Sequence, residues 1–79
     1  MGETIVGKQI EYTVIFEKGA NNWSAYVPDL PGCISAGTTR EETERNVKEA
    51  IEGHLQVMRE FGDPIPEPTT DAGKVLVAA

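Results

Sequence analysis

Two prolines and a glycine fall within the seven residues VPDLPGC, Val27 to Cys33, and no other stretch limits the fold as tightly. Pro28 and Pro31 have no backbone N–H to give to a ladder, and Gly32 can take the left-handed conformation that a sharp reversal demands. Neither a strand nor a helix can run through this segment. Any strand that enters it must therefore end there.

Before the reversal lie two strand-like runs. Gln9 to Glu17, QIEYTVIFE, places Ile10, Tyr12, Val14 and Phe16 on one side and Glu11, Thr13, Ile15 and Glu17 on the other. That period of two, in β-branched and aromatic residues, predicts a strand. KGANN, Lys18 to Asn22, supplies turn residues. WSAYV follows, with Trp23, Ala25 and Val27 alternating with Ser24 and Tyr26, so the two runs are expected to pair as an antiparallel hairpin. After the reversal, Cys33 to Gly37 has the small and apolar character of a third short strand.

Thr39, Arg40, Glu41 and Glu42 form a capping box, in which the threonine hydroxyl accepts from the third helical N–H and the glutamate reaches back to the Thr39 N–H. The helix it opens is predicted from Arg40 to about Phe61. Thr43, Val47, Ala50, Ile51, Leu55 and Met58 form its apolar stripe, and Glu41–Arg45 and Glu44–Lys48 are spaced for ion pairs outside it. Gly62 stops the helix, and Pro64, Pro66 and Pro68 make a stiff connector. Lys74 to Ala78 is predicted as a short fourth strand. The fold class is thus α+β: three antiparallel strands, one amphipathic helix on one face of the sheet and the fourth strand (β-β-β-α-β), in sheet order 3-2-1-4 through a right-handed crossover.

A chain of 79 residues buries only about 60% of its unfolded surface. Ile15, Tyr26 and Ile34 are expected on the sheet face that the helix leaves open. Self-association to a dimer or tetramer is therefore expected. Thirteen acidic against 7 basic residues give a net charge of −6, which repels phosphate backbones and suits a basic protein partner. One cysteine forms no internal disulfide, and neither a signal peptide nor an apolar run long enough to span a bilayer is evident. The cytoplasm is the expected compartment, with no membrane partner. Residues 1–8 read as a loose arm and 9–79 as the domain.

The run from Tyr12 to Leu55 resembles the N-terminal domain of the HicB family of antitoxins. The motifs that carry the resemblance are Val27 to Cys33, Gly37-Thr38-Thr39, Glu41-Glu42 and Glu49-Ala50-Ile51. Thr38 stands where that family usually has aspartate, and Arg40 where the first helical residue is commonly apolar. The resemblance implies a reduced ribonuclease H-like fold and the antitoxin role of a type II toxin-antitoxin pair. The partner it implies is HicA-like, a small basic mRNA-cleaving toxin with a catalytic histidine, neutralised by covering its active surface. The alternative is an orphan HicB-like oligomer with a regulatory or ligand-binding role and no toxin partner. Many members of the family add a DNA-binding helix-turn-helix or ribbon-helix-helix. Neither fits in TTDAGKVLVAA, so direct nucleic-acid binding is not expected of this chain.

Catalysis is not expected either. Ribonuclease H chemistry needs several carboxylates converging on two metal ions, and the predicted fourth strand carries none. Glu11 and Glu17 read as solvated strand charges. Cys33 reads as a small buried residue, because nothing in the spacing sets the lone His54 beside it as a base. No metal or cofactor is expected. The candidate partner-binding residues are Trp23, Tyr26, Asp29, Leu30 and Pro31. Trp and Tyr are enriched at interface hot spots, and a proline-flanked loop loses little entropy on docking. Trp23 also alternates with Ala25 and Val27, which is the pattern of packing under the helix, and Leu30 can equally plug the end of the sheet.

Overall fold

The computed structural model describes residues 9–79, so the proposed arm at 1–8 lies outside the described residues. Three strands, β1 (Ile15–Lys18), β2 (Trp23–Tyr26) and β3 (Ile34–Gly37), precede one helix, α1 (Arg40–Glu60). The strands form an antiparallel sheet in the order β1-β2-β3. Lys18 pairs with Trp23 across the turn, where the Gly19 N–H donates to the Asn22 carbonyl at 2.7 Å.

The register sorts the two faces. Phe16, Ala25 and Ser35 make one cross-strand row, and Ala25 is buried under the helix with Val27, Leu30, Cys33 and Val47. Ile15, Tyr26 and Ile34 make the next row on the opposite face, as the alternation predicted. No helix covers that face among the described residues, and Tyr26 and Ile34 are 41% and 69% exposed. Trp23 is half-buried and has the same parity as Ala25.

β1 is shorter than the predicted run because its neighbour ends first. Continuing the Ile15–Tyr26 register by two residues sets Thr13 against Pro28, which has no N–H to offer. Residues 9–14 thus lie outside the ladder. Tyr12 and Val14 still pack against the core beside Phe16.

α1 begins where the capping residues place it. The Thr39 hydroxyl accepts from the Glu42 N–H at 3.0 Å. The Glu42 carboxylate goes one residue further back than the capping box predicts, accepting from the Thr38 N–H at 2.6 Å and the Thr38 hydroxyl at 2.8 Å. Those bonds hold its carboxyl below the usual glutamate range. Arg40 stacks on Phe16, 4.0 Å from the ring centroid, and pairs with Glu44 at 2.9 Å, in place of the predicted Glu44–Lys48 pair. Thr43, fully buried, donates its hydroxyl to the Thr39 carbonyl within the helix start, and the Asn46 amide donates to the Ala36 carbonyl, tying the second turn to β3. Gly62, at φ +73°, ends the helix as predicted.

Gly53 lies in the helix interior, and a Cβ there would meet nothing within 4 Å. Gly53→Ala is therefore expected to stabilise the protein by about 0.8–1.0 kcal/mol, read as a higher urea midpoint with an unchanged slope.

The predicted fourth strand is corrected by the structure. Lys74 to Ala78 pairs with nothing among the described residues, and Val75, Leu76 and Val77 are 85%, 100% and 74% exposed. The local alternation is suited to a strand, but a strand needs a ladder partner, and the segment leaves the body of the molecule before reaching β1.

Candidate partner interface

The VPDLPGC segment is two successive tight turns. The Leu30 N–H donates to the Val27 carbonyl at 3.0 Å, and the Cys33 N–H donates to the Leu30 carbonyl at 3.0 Å. Each turn has proline at its second position, which fixes φ there, and the second has Gly32 at its third with φ +84°, the requirement of a type II turn. The Val27 N–H closes the base by donating to the Cys33 carbonyl at 3.1 Å. Leu30, at the junction, is driven into the core with no exposed surface.

Asp29 faces the other way and grips the segment that follows the helix. One carboxylate oxygen accepts from the N–H groups of Thr69 and Thr70, both at 3.1 Å, and the other accepts from their hydroxyls at 3.1 and 2.8 Å. The Thr13 hydroxyl donates to the Thr70 carbonyl at 2.6 Å, and the Tyr12 hydroxyl donates to the Pro66 carbonyl at 2.6 Å. Burial, with Glu67 and Asp29 nearby, raises the Tyr12 phenol. The hydrogen bonds from Thr70, then those from Thr69, hold the Asp29 carboxyl below its usual range. A lowered folded value means that the charged clamp stabilises the folded state fully above the ordinary aspartate value of about 3.9 and loses this as pH falls through the folded value. The Thr69 and Thr70 amides are accordingly expected to lose hydrogen-exchange protection only below about pH 4. Asp29→Asn should speed their exchange about tenfold or more at neutral pH while leaving the helix amides unchanged.

The five sequence-predicted contact residues thus occupy different settings. Tyr26 is exposed on the open sheet face and Pro31 at the tip of the double turn. Trp23 is half-buried, Asp29 is engaged by the chain's own threonines, and Leu30 is core. Thr69 and Thr70 were not legible as site residues, since only their long-range bonds to Asp29 single them out. Beside β1, a groove of about 690 Å³ runs between the 10–16 segment and α1, floored by Ile10, Val14, Val47, Ile51 and Leu55.

The remaining chemistry-bearing residues do not converge. Cys33 and His54 line one shallow depression, but burial pushes the thiol up, the opposite of what a nucleophile needs. Glu11 and Glu17 are exposed. Among the described residues, no group of three His, Cys, Asp or Glu side chains is placed to hold a metal ion, and no helix is long and apolar enough to cross a membrane.

Comparison with known proteins bears on this geometry. The family model described as the HicB-like antitoxin of bacterial toxin-antitoxin systems matches residues 12–75, which includes the double turn, the helix and the clamped threonines. A 14.9 kDa protein from the rep-hol intergenic region of Haemophilus phage HP1 is 41% identical over 56 residues, covering 71% of this chain and 42% of that protein. Antitoxin HicB 2 of Photorhabdus laumondii is 31% identical over 65 residues, 82% of this chain and 47% of the relative. The matches therefore span less than half the length of either relative. Among solved structures, a chain of the HicA3 and HicB3 toxin-antitoxin complex superposes with a TM-score of 0.65 at 32% identity, covering 76% of this chain and 70% of that one. A double turn packed under one helix on a three-stranded sheet, together with a family match over most of the chain, makes this protein a member of the HicB-like antitoxin family.

Proposed function

We propose that this chain is the antitoxin of a type II pair and neutralises a HicA-like, mRNA-cleaving toxin by binding it directly and covering its active surface. The observation that carries this reading is the charge of the clamped end. The segments 9–14, 27–33 and 62–73 contain Glu11, Asp29, Asp63, Glu67 and Asp71 and no Lys or Arg. Hydrogen bonds from Tyr12, Thr13, Thr69 and Thr70 hold the three segments together. A fixed acidic surface steers a basic protein into place and disfavours wrong partners. Tyr26 and Pro31 supply exposed contact groups at and beside this end. Asp29 and Leu30 serve from within by fixing the shape of the surface, and Trp23 supports the strand that carries Tyr26. The chain needs no bond-breaking chemistry of its own for this role.

The test is co-expression. The reading frame adjoining this one should encode a small basic protein that arrests growth when expressed alone, and growth should return when this chain is supplied. A toxic neighbour left unrelieved by folded, abundant antitoxin would count against the reading.

A further inference from the structure

Three features of this chain lack a partner, and each fits the others. β1 is the first strand of the sheet, and its outer edge is unpaired among the described residues, leaving alternate N–H and C=O groups open to another strand. Alongside that edge runs the apolar groove between the 10–16 segment and α1. Past Thr70, the last residue held by Asp29, the chain carries Lys74-Val75-Leu76-Val77-Ala78. This segment has no proline, is rich in β-branched residues and is almost wholly exposed.

We propose that the 74–78 segment of one copy adds as an edge strand to β1 of a second copy, with the exchange made reciprocally about a two-fold axis. The period of two sorts its side chains. Val75 and Val77 point to one side and enter the groove over Val47 and Ile51, while Leu76 points to the other and joins the open-face row beside Ile15. The chain's own tail does not fill these places, because Leu76 is 100% exposed and Val75 is 85% exposed. Nine residues beyond Thr70 reach about 30 Å when extended, enough to cross to a neighbouring subunit while Thr69 and Thr70 stay clamped. Reciprocal exchange covers the β1 edge of each copy, and because each tail is used once, the assembly closes at two subunits. It also supplies the burial that a 79-residue chain otherwise lacks. The exchange is independent of what the acidic end binds.

Sedimentation of the full chain over about a hundredfold range of concentration should show a monomer–dimer equilibrium. The double variant Val75→Asp/Val77→Asp should weaken dimerisation by about a hundredfold or more, since it carries charges into the groove. Both positions are solvent-exposed in the single chain, so its helix content by circular dichroism should be unchanged. Nuclear Overhauser contacts in a mixture of labelled and unlabelled chains should link Val75 and Val77 of one molecule to Val47 and Ile51 of another. A strictly monomeric chain, a dimer unaffected by the double variant, or tail contacts confined to the same molecule would each overturn the exchange.

Discussion

Replacing Leu30 with alanine is expected to destabilise this protein by about 2–5 kcal/mol, the range for a fully buried leucine whose cavity closes incompletely. Leu30 has no exposed surface, and its backbone N–H and carbonyl are committed to the two tight turns, so the site has little freedom to collapse. A domain of this length has a total stability of roughly 4–12 kcal/mol, so a loss at the upper end leaves a substantial unfolded population. Urea unfolding followed by tryptophan fluorescence reports it directly through Trp23, and the expected result is a large fall in midpoint. A fall of only a few tenths of a kcal/mol would mean that the leucine is a surface plug and not part of the core.

Gly37→Ala is the second large effect, and its cause is steric. A Cβ at this position would lie 2.7 Å from the Thr43 hydroxyl, 2.9 Å from the Thr43 backbone nitrogen and 3.1 Å from a Glu42 carboxylate oxygen. Thr43 is itself fully buried, so it cannot swing aside. The start of α1 must lift from β3, and overpacking of this kind costs about 1–3 kcal/mol. Removing the Thr43 hydroxyl in a Gly37→Ala/Thr43→Ala double variant should recover only part of the loss, because the backbone contact remains; the coupling between the two sites measures the hydroxyl's share. The opposite sign expected for Gly53→Ala separates packing at Gly37 from any general preference against glycine.

These two residues show what a sequence can disclose. The hairpin, the capping threonine, the helix and its glycine stop were readable because each depends on neighbours a few residues away, and Ile15, Tyr26 and Ile34 follow from alternation alone. The turn character of VPDLPGC was readable for the same reason, since Pro28, Pro31 and Gly32 act through their own dihedrals. What each residue does in three dimensions was less accessible. Asp29 reads as a loop aspartate until Thr69 and Thr70, forty residues on, arrive at its carboxylate. Arg40 stands where an apolar first helical residue is common, and only the fold shows that it stacks on Phe16. The fourth strand was misread because alternation records a segment's fitness for a ladder and carries no information on whether a ladder edge lies within reach.

The double turn holds the fold together in two directions. Its inward residue anchors the core, and its outward residue fixes an acidic surface to which basic groups can be drawn. The action proposed for this chain is the occlusion of another molecule.

Occlusion has a stoichiometric signature that catalysis lacks. The most direct measurement is the cleavage of a labelled RNA by the purified HicA-like partner while this chain is titrated in. Cleavage should fall in proportion to the amount added and stop at the molar equivalence of the complex, and this chain alone should leave the RNA intact. Undiminished cleavage in the presence of excess folded chain, or cleavage by this chain without the partner, would contradict antitoxin action.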